Sequence, residues 1–242
     1  MDSLLRQWQA AGREFRDEGR SIFYRDEGAG PVLLCMHGYP TASWDWHRVW
    51  PRLVQRYRLI AVDMLGFGFS DKPRDISYTI AAQATLHEQL LASLGIEDVH
   101  VLAHDYGDTV TQELMARQLE RIQHGGSGLR LRTVSLLNGG LFPESHHARP
   151  IQTLLRSPLG PLLVRVLNER AFRRSFCAIF GADTQPDDDE LSRCWALINH
   201  NGGRLNMGRL LHYIDERKRH RQRWVGALVE APMPVQFIVG LD

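Results

Sequence analysis

The stretch V-H-V-L-A-H-D-Y-G-D, from Val99 to Asp108, decides the fold of this chain. Its first residues form an apolar run that predicts a buried strand, and the residues after it, T-V-T-Q-E-L-M-A-R-Q-L, are typical of a helix. Ala103 and Gly107 stand two positions before and two positions after Asp105. Small residues there leave room for a strained turn to pack against its neighbours. The stretch therefore predicts a strand, a sharp turn and a helix, with Asp105 at the apex.

A carboxylate at the apex of such a turn has two possible roles. Asp105 is ionised at neutral pH, so it can attack an electrophilic carbon and form an alkyl-enzyme ester. A water activated by a histidine would then hydrolyse that ester. Alternatively, Asp105 is the N-cap of the following helix, a position that Asp favours. The motifs described below favour the nucleophile.

The composition of the 242 residues is that of an ordinary globular protein, with 43% hydrophobic and 24% charged residues. A net charge of +1 gives no reason to expect nucleic acid or a membrane as a partner. The three cysteines, Cys35, Cys177 and Cys194, have neither metal-site spacing nor a disulfide-rich pattern. Gly66 and Gly68 lack the third glycine of a dinucleotide loop. We therefore predict a cytoplasmic protein that binds a small-molecule substrate and needs no metal or organic cofactor.

Strand-like and helix-like patterns alternate along the first part of the chain. Alternating or continuous apolar residues predict strands, and apolar spacing of three to four residues predicts helices. Besides the elements around Asp105, the predicted strands are 13–17, 21–26, 31–36, 58–62 and 131–137, and the predicted helices are 44–57 and 78–94. This alternation indicates an α/β fold with a mostly parallel sheet that is flanked by helices on both faces.

The alternation stops after the strand at 131–137. Residues 141–230 contain helical patterns and no convincing strand, and a strand pattern returns at 235–239. We therefore expect residues 1–140 to form the N-terminal part of a core, 141–230 to form a helical cap over the active site, and 231–242 to begin the C-terminal part of the core. A final strand and helix of such a core would then be missing from the given sequence.

The turn after the first central strand, His37-Gly38-Tyr39-Pro40, has the H-G-x-P pattern of a loop that donates a backbone N–H to an oxyanion. The predicted donors are the amides of Tyr39 and of Tyr106, the residue after Asp105. They would bind the ester oxygen that becomes negative when water attacks. His37 and Gly38 are expected to hold the shape of this loop.

The acid that orients the catalytic histidine is predicted to be Asp242, which follows the last strand. Glu144, after the preceding strand, is the alternative. The chain order nucleophile, acid, histidine places the histidine last, but His220 is the last histidine in the sequence. The sequence is therefore interpreted as a fragment that lacks this histidine, or as a relative that does not turn over. His200 and His212, in the predicted cap, are weaker candidates for the base.

Tyr213 is the only tyrosine between Leu141 and Glu230. Its phenol could donate a proton to an epoxide oxygen as the ring opens, or it could simply pack at a helix interface. The basic run from Glu216 to Arg223 is typical of a solvated helix face, and the alternative interpretation is a surface that docks an acidic partner.

Several motifs resemble those of one known family. The segments H-G-Y-P, D-M-L-G-F-G-F-S-D-K-P, H-D-Y-G-D, N-G-G-L-F-P-E and R-Q-R-W-V-G-A-L resemble the mesoderm-specific transcript protein family of α/β-hydrolases. The resemblance covers most of the chain and implies the α/β-hydrolase fold, Asp105 as nucleophile, and a late acid and histidine. The wider group is similar to epoxide hydrolases and haloalkane dehalogenases, which also use an aspartate nucleophile.

Two departures from this pattern guide the expected activity. Haloalkane dehalogenases typically carry Asn and Trp where this chain has Tyr39 and Tyr106, so dehalogenation is disfavoured. Epoxide hydrolases usually have cap tyrosines, and Tyr213 is the candidate here. The resemblance therefore implies an epoxide-hydrolase-like enzyme. The alternative is a hydrolase-fold protein without catalysis that acts as a binding or interaction module.

Overall fold

The computed structural model describes residues 2–145 and 150–240 of the chain. Within them lies one seven-stranded sheet. Its strands are β1 (Arg13–Asp17), β2 (Arg20–Glu27), β3 (Val32–Met36), β4 (Arg58–Val62), β5 (Asp98–His104), β6 (Arg130–Leu137) and β7 (Val235–Ile238). The strand order is β1-β2-β4-β3-β5-β6-β7. The pairs β1–β2 and β2–β4 are antiparallel, and the remaining pairs are parallel.

Helices connect the strands and cover the sheet. They are α1 (Ser3–Ala10), α2 (Trp50–Leu53), α3 (Ile80–Ser93), α4 (Tyr106–His124), α5 (Pro150–Arg156), α6 (Gly160–Val166), α7 (Glu169–Cys177), α8 (Asp188–Asn199), α9 (Met207–Leu210), α10 (Tyr213–Arg219) and α11 (Arg221–Val229). The predicted mostly parallel sheet with flanking helices is confirmed.

The sheet is buried on both faces, as central parallel strands require. Met36 and Val62 belong to the larger of two apolar clusters, and Cys35 and Ala61, their neighbours in the chain, belong to the other. Successive side chains of a strand point to opposite faces, so β3 and β4 supply both clusters at once. The continuous apolar runs that predicted these two strands are explained by this double burial.

One predicted helix is largely replaced by other structure. Residues 44–57 form a 3-10 turn at Ser43–Trp46 and the single turn of α2 rather than one helix. Trp44, Trp46 and Trp50 are all buried, and their spacing does not place them on one helical face. All three rings pack in one apolar cluster, where Trp44 and Trp50 both contact Trp8, and a regular helix would not present all three to it.

The carboxyl ends of β3, β4 and β5 lie side by side at one edge of the sheet, because these strands run parallel. Ligands of open α/β sheets bind at such an edge. Between β6 and β7 the described residues form helices α5 to α11 and no strand. Among the described helices, none combines the length and the hydropathy that crossing a membrane requires.

Candidate active site

Asp105 stands at the turn between β5 and α4 with an unusual backbone conformation. Its φ is 50° and its ψ is −102°, outside the regions that non-glycine residues normally adopt. Such strain persists only where the surrounding structure holds it, and it concentrates at functional sites. The Gly107 amide donates a hydrogen bond of 3.0 Å to the His37 carbonyl, which ties this turn to the turn after β3.

Gly107 has no room for a side chain. A Cβ at this position would lie 2.5 Å from the carbonyl oxygen of Met36. We expect Gly107→Ala to lower the free energy of unfolding by about 2–3 kcal/mol, because the backbone of β3 or α4 must shift to admit the methyl group. Urea unfolding measures this difference.

Gly226→Ala is the matched control, since a Cβ there meets no atom within 4 Å and Ala favours the helix. Equal effects of the two substitutions on the unfolding midpoint would contradict the close approach at Gly107.

A backbone amide faces the Asp105 carboxylate. The Tyr39 N–H donates to Oδ2 of Asp105 at 3.0 Å. The Tyr106 N–H is the first amide of α4, and a first helical amide has no partner inside its own helix. The two predicted oxyanion donors thus come from the turn after β3 and from the start of α4. The Tyr39 amide stabilises negative charge on the Asp105 carboxylate.

His37 and Gly38 lie beneath this turn. The Met64 N–H donates to Nε2 of His37 at 3.1 Å, so Nδ1 carries the proton and donates to the Gly38 carbonyl at 2.8 Å. Burial lowers the pKa of His37, which favours this neutral form. A Cβ on Gly38 would lie 2.7 Å from Nδ1 of His104, so only glycine fits between the two turns. His37 is thus fully occupied in holding the turn.

Tyr213 of α10 reaches Asp105 from the helices that follow β6. It is completely buried, and its ring centroid is 4.8 Å from that of Tyr106. Burial raises the pKa of Tyr213, and so do the charge of Asp105 and a hydrogen bond with its carboxylate. The phenol is therefore protonated at neutral pH and lies beside the candidate nucleophile.

Arg217 is a residue of the site that the sequence pattern did not reveal. Its side chain is buried, with Nε donating to Oγ1 of Thr109 at 2.7 Å and Nη2 donating to the Asp105 carbonyl at 3.2 Å. The guanidinium carbon lies 4.5 Å from the ring centroid of Tyr213, a cation–π distance. One turn of α10 thus contacts the side chain and the backbone of Asp105.

Glu216, the neighbour of Arg217, fixes α10 against the core. Its Oε2 accepts a hydrogen bond of 3.1 Å from the Ile80 N–H at the start of α3. A carboxylate is favourable at a helix N-terminus, where amides lack partners. The position of Tyr213 is therefore set by contacts of α10 with both α3 and α4.

Asp108 is a second buried acid that the sequence analysis did not single out. It is completely buried in α4, and a Cβ on Gly139 would lie 2.0 Å from its Oδ2. Burial, followed by the charge of Asp105, raises the pKa of Asp108 to about 8, while backbone hydrogen bonds and the charge of Arg217 act in the opposite direction. Asp108 therefore holds a proton at neutral pH.

The raised pKa of Asp108 makes stability depend on pH. Between its unfolded pKa of about 3.9 and its folded pKa of about 8, the folded protein holds more protons on Asp108 than the unfolded chain. This contribution is present at low pH and is lost as the pH rises through 8. Asp108→Asn removes this ionisation. We therefore expect the melting temperature of the variant minus that of the wild type to be higher at pH 9 than at pH 5.

Melting curves at the two pH values measure this gain. The exposed Asp75 provides the control substitution, Asp75→Asn. If the difference between Asp108→Asn and the wild type is the same at both pH values, the ionisation of Asp108 contributes nothing.

The other predicted acids and bases lie elsewhere. Asp242, the predicted orienting acid, lies outside the described residues. Glu144, its alternative, is exposed and accepts two hydrogen bonds from Arg221, at 3.1 and 2.6 Å. His212 is exposed and pairs with Asp215 at 3.4 Å. Across residues 2–145 and 150–240, no histidine is hydrogen-bonded to the Asp105 carboxylate.

The described part of the chain contains no group of three or more His, Cys, Asp or Glu residues arranged to hold a metal ion. Cys35 lies in β3 with no exposed surface, as expected for a core residue.

The strained turn at Asp105 after β5 and the amide donor after β3, on a mostly parallel sheet, define an α/β-hydrolase-fold protein. A sequence model for the alpha/beta hydrolase fold matches residues 31–124. The chain is 42% identical to the mesoderm-specific transcript protein of Mus musculus, over 99% of this chain and 73% of that protein. The chain belongs to the mesoderm-specific transcript protein family, as its motifs predicted.

One further sequence and one solved structure are also similar to this chain. The chain is 40% identical to the putative hydrolase LipZ of Mycobacterium tuberculosis, over 98% of this chain and 81% of that protein. The solved structure of epoxide hydrolase CorEH without ligand matches with a TM-score of 0.74 at 19% identity, covering 95% of this chain and 82% of that one. At this identity the structural likeness shows the fold.

Proposed function

We propose that this protein is a hydrolase that opens epoxides with Asp105 as nucleophile, through a covalent alkyl-enzyme ester. The observation that carries the proposal is the 3.0 Å contact between the Tyr39 N–H and Oδ2 of Asp105, at a turn with φ of 50°. This contact orients one carboxylate oxygen and leaves the other to attack. The hydrolase fold and the relative named as a putative hydrolase support the general class.

In the first step, a carboxylate oxygen of Asp105 attacks an epoxide carbon, and the bond from that carbon to the ring oxygen breaks. The ring oxygen leaves as an alkoxide and takes the phenolic proton of Tyr213. Because the pKa of Tyr213 is raised, the phenol delivers its proton only to a strong base such as this alkoxide. Asp105 then carries the opened product as an ester.

In the second step, water attacks the carbonyl carbon of the ester. The oxygen that becomes negative lies at the Tyr39 and Tyr106 amides, which stabilise the charge. Collapse of this intermediate breaks the bond to the diol and regenerates the Asp105 carboxylate. Of the two protons of the water, one passes to the departing diol oxygen and the other restores the Tyr213 phenol. A general base must remove the proton of the water, and the proposal assigns to Asp242 the role of orienting that base.

The helices between β6 and β7 have a defined place in this mechanism. We assign residues 141–230 to a cap and residues 1–140 and 231–242 to the core. We also propose that the protein is cytoplasmic. Arg217 holds the nucleophile turn through the Asp105 carbonyl and stacks on Tyr213, so the cap supplies both the acid and its support. Tyr39 and Tyr106 occupy the places where dehalogenases carry halide ligands, which favours epoxides over haloalkanes.

A single turnover in water enriched with heavy oxygen tests the covalent route. Protein in excess over styrene oxide is mixed in the labelled water, and the diol and the proteolytic peptide containing Asp105 are weighed. Ester hydrolysis places the label in the Asp105 carboxylate and leaves the diol unlabelled. A labelled diol with an unlabelled peptide would show direct attack by water and overturn the proposal. If neither a diol nor an ester forms, the non-catalytic interaction protein is the better account.

A further inference from the structure

A cavity lies among the helices that follow β6, away from Asp105. Its volume is about 450 Å³, within the range of small-molecule sites. Its lining comes from α5, α6, α9 and the loop before α3. The lining residues Leu155, Val164 and Asn206 are buried and give the cavity a mainly apolar base.

Four arginines surround this base. They are Arg74, Arg156, Arg165 and Arg209, each from a different element. Arg156 is paired with Asp215, which also accepts a hydrogen bond from His212. The other three have no ion-pair partner among the described residues. The cavity therefore carries three positive charges that no described residue neutralises through an ion pair.

Two polar atoms of the lining residues are also unpaired. Nε of Arg156 is a buried donor, and Oδ1 of Asn206 is a buried acceptor, and neither has a hydrogen-bond partner in the described structure. Nδ2 of Asn206 already donates to the Tyr78 hydroxyl at 2.9 Å, so the orientation of this amide is set. Leaving buried polar groups unpaired is costly, so the chain's own hydrogen bonding is incomplete beside this cavity.

The cavity is separate from the candidate active site, because Asp105, Tyr39 and Tyr213 do not line it. Helix α9 lies between the two sites. The Met207 carbonyl accepts a hydrogen bond of 3.4 Å from the Tyr39 hydroxyl, while Gly208 and Arg209 of the same helix line the cavity. An occupant of the cavity would therefore contact the same helix as the oxyanion turn without entering the active site.

We propose that this cavity binds a small organic anion, with a carboxylate or phosphate head held by the arginines and an apolar group on the base. Guanidinium groups bind such heads through paired N–H donors. The apolar base excludes a bare inorganic ion as the best occupant, because it would leave Leu155 and Val164 uncovered.

Titration calorimetry with octanoate, octyl phosphate and the uncharged octanol tests the proposal on the intact protein. We expect one of the two anions to bind at one equivalent, and octanol to bind at least about tenfold more weakly. Octanoate and octyl phosphate together show which head is preferred. Arg209→Gln should weaken binding of the preferred anion by roughly tenfold, since it removes a charged hydrogen bond.

Arg170→Gln is the matched control, because Arg170 is also exposed and does not line the cavity. It should leave the affinity unchanged, and so should Tyr213→Phe, which alters the active site alone. The proposal is overturned if neither anion binds, or if Arg170→Gln weakens binding as much as Arg209→Gln does. Binding is measured without turnover, so failure here is distinct from failure of the epoxide hydrolase activity.

Discussion

Replacing Asp105 by Asn is expected to reduce kcat/KM for epoxide hydrolysis by about 10⁴-fold or more, the usual effect of removing a nucleophile. The amide has nearly the same shape, so the strained turn and its contact with the Tyr39 amide can persist. It carries no charge and cannot form the ester. Initial rates of diol formation from styrene oxide measure the loss.

Asp75→Asn is the control for the Asp105 substitution, since Asp75 is an exposed carboxylate outside the site. It should retain full activity. Circular dichroism and melting curves of both variants show whether the fold is kept. Intact mass excludes deamidation of the introduced amide, which would restore the carboxylate. Wild-type rates in a verified Asp105→Asn sample would show that another residue or water attacks the substrate.

Replacing Tyr213 by Phe is expected to lower kcat by roughly 10²-fold or more, because general acid catalysis is commonly worth this much. The ring keeps its contacts with Tyr106 and with the Arg217 guanidinium, so the packing of α10 changes little. The loss should appear in kcat rather than in KM, since the proton is transferred only as the ring opens. Steady-state kinetics with styrene oxide separate the two constants.

Tyr57→Phe is the matched control, because Tyr57 packs beside His100 on another part of the core. Its kcat should equal that of the wild type. If Tyr213→Phe also retains the wild-type kcat, Tyr213 is a packing residue, and the alkoxide receives its proton from another group.

The elements that position Asp105 were predictable because their signals are local. The apolar run of β5, the small residues Ala103 and Gly107, and the helical pattern of α4 all lie within one continuous stretch. The hairpin of β1 and β2 was also predicted, because alternating residues flank a short polar turn. In each case the interactions that decide the structure lie between residues that are close in sequence.

Arg217 and Asp108 were missed because their roles depend on contacts distant in sequence. Arg217 lies in a basic run that is typical of a solvated face, yet it is buried because α10 packs over Thr109 and the Asp105 carbonyl. The spacing of four residues between Tyr213 and Arg217 places both on one face of α10, and this was the available signal. In the sequence, Asp108 is an ordinary residue of the first turn of a helix. It is buried because β6 and Gly139 pack over it.

The basic cavity was not predictable for a related reason. Arg74, Arg156, Arg165 and Arg209 are spread over more than 130 positions of the chain, counted from Arg74 to Arg209. No local pattern links them, and three of them belong to separate short helices. Only the packing of these helices against the loop at Arg74 brings the four side chains around one cavity.

The ester on Asp105 can be observed most directly by mass. The protein is incubated with styrene oxide, quenched with acid, and weighed intact beside Asp105→Ala. We expect one equivalent of the epoxide mass on the wild type, located on the peptide that contains Asp105, and none on the variant. A wild-type adduct located on another peptide, or an adduct that persists in Asp105→Ala, would contradict the assignment of Asp105 as the nucleophile.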